Sequence, residues 1–261
     1  MDGTAILTTI KYWRYLLKLS TISNRVLYGI NHYFRKPVRI VVLGCSGSGK
    51  SQFIESLLDT NQKLTLRTRI VLRKRLNLED GRKIEIVDTP GQLTMVAARK
   101  KIYSQFTQKK IRGIINLVNY GYCESEIVNS SNVFKAGTNE VKDEYLKDNR
   151  KRELEQLSEW INDVTSNTEI KWIITIVNKA DIWYANRQEI IDYYENGKYF
   201  QIIKTLKSCC DIYTFPYCSI ITPFCNKPML LNFSEREKIS YHDDLKNHLI
   251  MLVNGKNEKN G

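Results

Sequence analysis

Arg39-Ile40-Val41-Val42-Leu43-Gly44-Cys45-Ser46-Gly47-Ser48-Gly49-Lys50-Ser51 runs from β-branched and apolar residues into a loop of small ones. Lys50-Ser51 then opens a predicted helix, Gln52-Phe53-Ile54-Glu55-Ser56-Leu57-Leu58. This is the complete G-x-x-x-x-G-K-[ST] pattern, set between a strand and a helix. Gly44, Gly47 and Gly49 lack a Cβ, so the backbone can curl and turn its N–H groups toward an anion. The helix start after Gly49 adds N–H groups with no partner inside the helix, at the positive end of its dipole. Lys50 sets a cation against β- and γ-phosphates, and the Ser51 hydroxyl is a ligand for Mg²⁺. The plainer alternative is a Gly/Ser turn, and the full pattern in its strand-to-helix setting argues against it.

Downstream, Asp59 to Arg69 is polar and contains Thr60, Thr65 and Thr68. Ile70–Leu78 reads as a strand, Glu79-Asp80-Gly81-Arg82 as a hairpin turn, and Lys83–Val87 as the returning strand. That strand ends in Asp88-Thr89-Pro90-Gly91-Gln92. An acid at a strand's C-terminal end beside a phosphate loop is placed to hold Mg²⁺, directly or through water. Gly91 lets its backbone N–H approach a γ-phosphate. A D-x-x-G sequence by itself is an ordinary turn. Gly113–Val118 has the composition of a buried strand, and Lys151–Val164 patterns as a helix with Leu154, Leu157, Trp160, Ile161 and Val164 on one face. Lys171–Val177 is a further strand, and it runs into Asn178-Lys179-Ala180-Asp181.

With these motifs in this order, the chain resembles the Ras-like P-loop GTPases, of the translation-factor-related class of small GTP-binding proteins, as a divergent bacterial-type member. The resemblance spans about residues 38–253 and rests on motif context. It implies an α/β fold: a mostly parallel six-stranded sheet with one antiparallel edge strand and helices on both faces. It also implies a set of roles. Asp181 accepts hydrogen bonds from the guanine N1–H and exocyclic amine, Asn178 braces the loop, and the Lys179 stem lies over the base. Thr68, with Thr65 as the fallback, is the switch threonine on Mg²⁺ with Ser51 and Asp88. Gln92 orients the attacking water. Ser219, in Tyr217-Cys218-Ser219-Ile220, stands where the family's last base-contacting element falls, although Cys218 and Ser219 replace the usual pair. The implied ligands are GTP and GDP with Mg²⁺ as cofactor, and the implied activity is slow hydrolysis in a molecular switch, with Lys50, Thr68 and Gln92 as catalytic residues. Ser46 departs from the pattern: many members carry glycine there, and a side chain can crowd Gln92 or a partner's arginine finger.

The net charge of +12 is concentrated in two stretches. Residues 1–39 carry seven Lys and Arg against Asp2 alone, and residues 61–83 carry eight against Glu79 and Asp80. Such stretches favour phosphates, of lipid or of nucleic acid, without choosing between them. In the first, Ile6, Ile10, Trp13 and Leu17 form one helical stripe and Lys11, Arg14 and Lys18 another. It is too short and too charged to span a bilayer, which needs about 20 largely apolar residues, and it lacks a signal peptide's uninterrupted core. Residues 5–19 read either as an interfacial amphipathic helix on a membrane or as a helix packed on its own domain or a partner. Arg73-Lys74-Arg75 reads as protection of an edge strand.

Six cysteines without a C-x-x-C pair argue against a zinc site or a disulfide framework, consistent with a reducing cytoplasm or the inner face of its membrane. His32, His242 and His248 have no ligand-like spacing. Trp183, Tyr184, Tyr193, Tyr194 and Tyr199 read as core. Leu245, Leu249 and Leu252 mark a final helix. The organisation expected is a basic amphipathic segment at 1–37, a GTPase domain at 38–253 and a polar tail at 254–261. An insertion at about 123–150 reads as a partner-binding element or a disordered spacer. A protein effector or regulator is an expected partner. A GTP-dependent scaffold without turnover, and an RNA- or ribosome-associated GTPase, are the other readings; no separate RNA-binding domain is visible for the latter.

Overall fold

A computed structural model describes residues 37–58, 72–77, 83–89, 111–124, 130–165, 170–206, 208–227 and 233–254. Thr65, Thr68, Gly91, Gln92, the segment 5–19 and the tail beyond Asn254 lie outside the described residues. The chain divides into two compact units. One comprises 1–37 and 77–84, of which only Pro37, Asn77, Lys83 and Ile84 are described; the other comprises 38–76 and 85–261.

The strands are β1 (Val38–Gly44), β2 (Leu72–Asn77), β3 (Lys83–Asp88), β4 (Ile111–Val118), β5 (Trp172–Val177) and β6 (Asp211–Pro216). They form one six-stranded sheet in the order β2-β3-β1-β4-β5-β6, mostly parallel with one antiparallel pair. β1, β4, β5 and β6 pair in parallel. The short span between the neighbours β2 and β3 makes them the antiparallel pair, because a parallel crossover needs about a dozen residues. β2 is therefore an edge. Its Lys74 reaches Glu55 at 3.4 Å and its Arg75 is exposed, as expected of charges that guard an edge.

Among the described residues the helices are α1 (Lys50–Leu57), α2 (Ser130–Val133), α3 (Asp143–Thr165), α4 (Ala180–Trp183), α5 (Arg187–Glu195), α6 (Lys198–Ile203) and α7 (Glu235–Asn254). Alternation along the strands supplies two apolar faces. Val41, Leu43, Ile114, Ile173 and Val177 pack with Leu157 and Trp160 of α3, Tyr194 of α5 and Tyr199 of α6. The alternate residues Ile40, Val42, Ile115, Leu117, Ile174 and Ile176 are equally buried, so the second face is covered as well. Burial on both faces is why these strands read as near-continuous apolar runs. Trp183, Tyr194 and Tyr199 are core residues, while Tyr184 and Tyr193 pack against that core partly exposed. Leu245, Leu249 and Leu252 are the buried stripe of α7.

The helix expected from Lys151 begins at Asp143 instead. Residues 130–150 are folded: Val133, Phe134, Val141 and Leu146 make a small core with Phe224, and Phe134 bridges Val141 in antiparallel fashion.

Candidate nucleotide site

The loop after β1 adopts the curled backbone that its glycines permit. Gly47 and Gly49 have φ of +77° and +88°. A Cβ at Gly47 would stand 2.2 Å from the Glu124 carbonyl oxygen, and one at Gly49 would stand 2.7 Å from Asn178 Nδ2. Glycine is needed there for space as well as for conformation. α1 begins directly after Gly49 with no side-chain cap, so the positive end of its dipole faces the loop. Lys50 is buried, and its Nζ donates to the carbonyls of Gly44 at 2.8 Å and Cys45 at 3.0 Å, holding the ammonium across the loop. Ser46 is exposed at the loop's tip; Ser48 is buried.

β3 delivers Asp88 beside α1, where Ser51 Oγ donates to Asp88 Oδ2 at 3.2 Å. Thr89 Oγ1 donates to the Val42 carbonyl at 2.8 Å, fixing the end of β3 on β1. A hydroxyl and a carboxylate held together are hard oxygen donors that fit Mg²⁺, which keeps few protein ligands and takes the rest from phosphate and water. No group of three or more His, Cys, Asp or Glu side chains suited to a metal occurs among the described residues.

β5 delivers Asn178, and this residue joins three loops. Its Nδ2 donates to the Ser48 carbonyl at 3.0 Å, and its Oδ1 accepts from Ser219 N at 3.1 Å and Ser219 Oγ at 3.0 Å. Lys179 takes the left-handed conformation, φ 62°, and so starts α4 immediately. That turn brings Asp181 into a narrow cleft with Gln52, Glu124, Asn178, Lys179 and Ser219. Burial raises the Asp181 pKa above the ordinary aspartate value, while the Cys218 thiol, donating to Oδ1 at 3.4 Å, pulls it back. A roomier groove of about 440 Å³, between β6 and α7, is lined by Phe215, Tyr241, His248 and Met251 and lacks any residue of these loops.

The structure thus brings together Gly44, Gly47, Ser48, Gly49, Lys50, Ser51 and Asp88 around the phosphate loop and Asn178, Lys179, Asp181 and Ser219 around the cleft, with the Asn178–Ser48 bond joining the two groups. Two contacts were not expected from the sequence. Cys218 buttresses Asp181. Glu124 lies in the cleft, with its N–H donating to the Gly47 carbonyl at 3.4 Å. Its signal was position: it is the first charged residue after β4, at the strand ends where ligands gather in α/β sheets.

Residues 39–204 match the profile of the family described as 50S ribosome-binding GTPase, a span that includes the phosphate loop, Asp88 and Asn178–Asp181. The chain belongs to that family. Membership makes it a GTP-binding protein of the P-loop GTPase class. Among solved structures, the mammalian SRP receptor shares the fold, with a TM-score of 0.51 and 13% identity over 82% of this chain and 99% of that one. The bacterial selenocysteine-specific elongation factor EF-Sec gives 0.44 and 15% identity over 87% of this GTPase-family chain, which spans only 30% of the factor's length. The signal recognition particle receptor SRb-GTP/SRX complex from Chaetomium thermophilum gives 0.45 and 12%, over 80% of this chain and 99% of that one. No curated protein matches. No described helix is long and apolar enough to cross a membrane.

Proposed function

We propose that the protein is a molecular switch that binds GTP with Mg²⁺ and hydrolyses it slowly to GDP and phosphate. The observation that carries this reading is Asn178, which ties the phosphate loop at Ser48 to the Ser219 loop beside Asp181. A ligand with a polyphosphate at one end and a base with two adjacent donors at the other suits that arrangement. The Asp181 carboxylate accepts from the guanine N1–H and exocyclic amine, which adenine does not offer. Lys50 and the loop N–H groups neutralise the phosphates. Ser51 and Asp88, together with Thr68, are the residues that would hold Mg²⁺, which when bound supplies charge neutralisation at the β- and γ-phosphates.

Gln92 orients a water whose oxygen forms a bond to the γ-phosphorus. The bond from that phosphorus to the bridging oxygen breaks, its electron pair leaves with GDP, and the water's proton ends on phosphate. The GTPase domain is residues 38–253. The basic segment at 5–19 and the insertion are its partner-facing parts, for a lipid surface or a regulatory protein in the cytoplasm.

The test compares GTP, GDP and ATP binding and turnover with Mg²⁺ in the full chain, beside Lys50→Ala and Gln92→Leu. Guanine-selective binding, lost in Lys50→Ala, and slow phosphate release, lost in Gln92→Leu, are expected. Equal competition by ATP would overturn the base assignment. Guanine binding without turnover would replace the hydrolysing switch with a nucleotide-gated scaffold.

A further inference from the structure

Glu124 belongs to none of the sequence motifs, yet it lines the cleft and joins three segments around it. Its Oε2 lies 3.0 Å from Lys179 Nζ. Its Oε1 accepts from Cys225 N at 2.9 Å, in the turn that follows β6. Its backbone meets the phosphate loop, donating to the Gly47 carbonyl at 3.4 Å, with its own carbonyl occupying the space that a side chain at Gly47 would need. The ion pair is unequal in exposure, with the Lys179 side chain 11% exposed and the Glu124 side chain 40%. A largely buried ammonium is thus fixed by a carboxylate that is itself anchored on a backbone N–H. Charge-assisted bonds of this kind are among the stronger ones and set direction as well as energy.

The other side of Lys179 is closed by an aromatic ring. Its Nζ lies 5.0 Å from the centroid of Phe224. Phe224 belongs to the small core that the insertion makes with Val133, Phe134, Val141 and Leu146. Lys227, in the same turn, donates to the Thr138 carbonyl at 2.9 Å. Lys179 is therefore clamped between Glu124 and the core of the insertion, and its aliphatic stem is left as a wall of the cleft beside Asp181. A long lysine side chain without such anchors would sample many rotamers, and ordering it on binding would weaken the complex.

We propose that Glu124 is a positioning residue that acts through Lys179, holding its stem in place against the bound base and so slowing nucleotide release. This rests on the guanine-nucleotide reading above. The carboxylate makes no contact with the nucleotide in this role. It sets the residence time by keeping one wall of the cleft pre-formed, and it links that wall to the insertion.

The experiment measures the release rate of fluorescent GDP from the full chain in Mg²⁺ for the wild type, Glu124→Gln, Glu124→Ala, Lys179→Met and Glu124→Gln/Lys179→Met. Glu124→Gln keeps an oxygen for Cys225 N and removes the charge, so it tests the pair even where Glu124→Ala folds poorly. Release is expected to quicken about tenfold in Glu124→Gln, because the freed Lys179 side chain must then be ordered on binding. The double variant should be no faster than Lys179→Met alone, and the melting temperature of the nucleotide-free Glu124→Gln chain should match the wild type. Wild-type release in Glu124→Gln, or single effects that multiply in the double variant, would overturn the proposal. Failure of the wild type to retain GDP would instead overturn the guanine-nucleotide reading itself, and the two failures are read from different samples.

Discussion

In the proposed function a single carboxylate, Asp181, carries base selectivity, and its protonation would set a pH limit. Burial pushes the Asp181 carboxyl upward, against the opposing pull of the Cys218 thiol and of Lys179. Guanine donors need the ionised form, so affinity for GDP is full above the raised pKa and falls as pH drops through it. The loss begins at a higher pH than it would for a solvated aspartate near about 3.9. Asp181→Asn replaces an acceptor with an N–H that faces the guanine donors. It should weaken GDP binding at least about a hundredfold, move preference toward xanthosine nucleotides and flatten the pH dependence. Titration of GDP affinity for both proteins across the mildly acidic range checks all three. A wild-type affinity that does not fall with pH would remove Asp181 from the base contact.

At the scale of an element, α3 governs the site from behind. Its Glu153 is buried and takes the backbone N–H groups of Asn119 at 3.0 Å and Gly121 at 3.3 Å on one oxygen, and the Tyr194 hydroxyl at 2.7 Å on the other. The turn so fixed leads directly to Glu124 on the phosphate loop. Glu153→Ala strands two buried N–H groups and a hydroxyl, and should cost about 3 kcal/mol of stability in urea unfolding. Burial also raises the Glu153 pKa. A raised folded-state pKa means that its contribution is most favourable below the unfolded value and is lost as pH rises through the folded one. The wild type should therefore lose stability relative to Glu153→Gln as pH climbs out of the carboxylate range; urea midpoints at acid and neutral pH measure this. The same helix shows what the sequence hid. Its buried positions begin at Leu146 and continue through Asn149, Glu153, Gln156 and Leu157 at helical spacing. Three of these are polar, so an apolar period becomes visible only near Leu154. The start at Asp143 was illegible for that reason, and with it the folded state of residues 130–150.

For the molecule as a whole, the sheet was legible. Strands buried on two faces must be apolar throughout, and Ile173-Ile174-Thr175-Ile176-Val177 admits little else. The motifs announced the loops at their ends, because the chemistry of phosphate binding constrains residue type and spacing together. The contacts among those loops were not legible, since Glu124, Cys218 and Phe224 meet the motifs only through the third dimension. A ligand that binds only the folded chain stabilises all of it: at a hundredfold excess over Kd, GDP should add about 2.7 kcal/mol. A thermal melt with GDP should rise by several degrees, and one with ADP at the same concentration should not. Equal shifts from both would contradict a guanine-selective cleft.

The reach of Asn178, from Ser48 early in the chain to Ser219 beyond β6, also sets an order of events during synthesis. A chain leaves the ribosome from its N-terminus, so the phosphate loop emerges well before the segment that braces it. Parallel pairing of β5 with β6 cannot close until the intervening helices have been made. On the proposed reading, a nascent chain stopped short of Ser219 would hold every phosphate-binding residue and still lack the brace that Asn178 finds there. Nucleotide capture would then wait for the docking of the last strand.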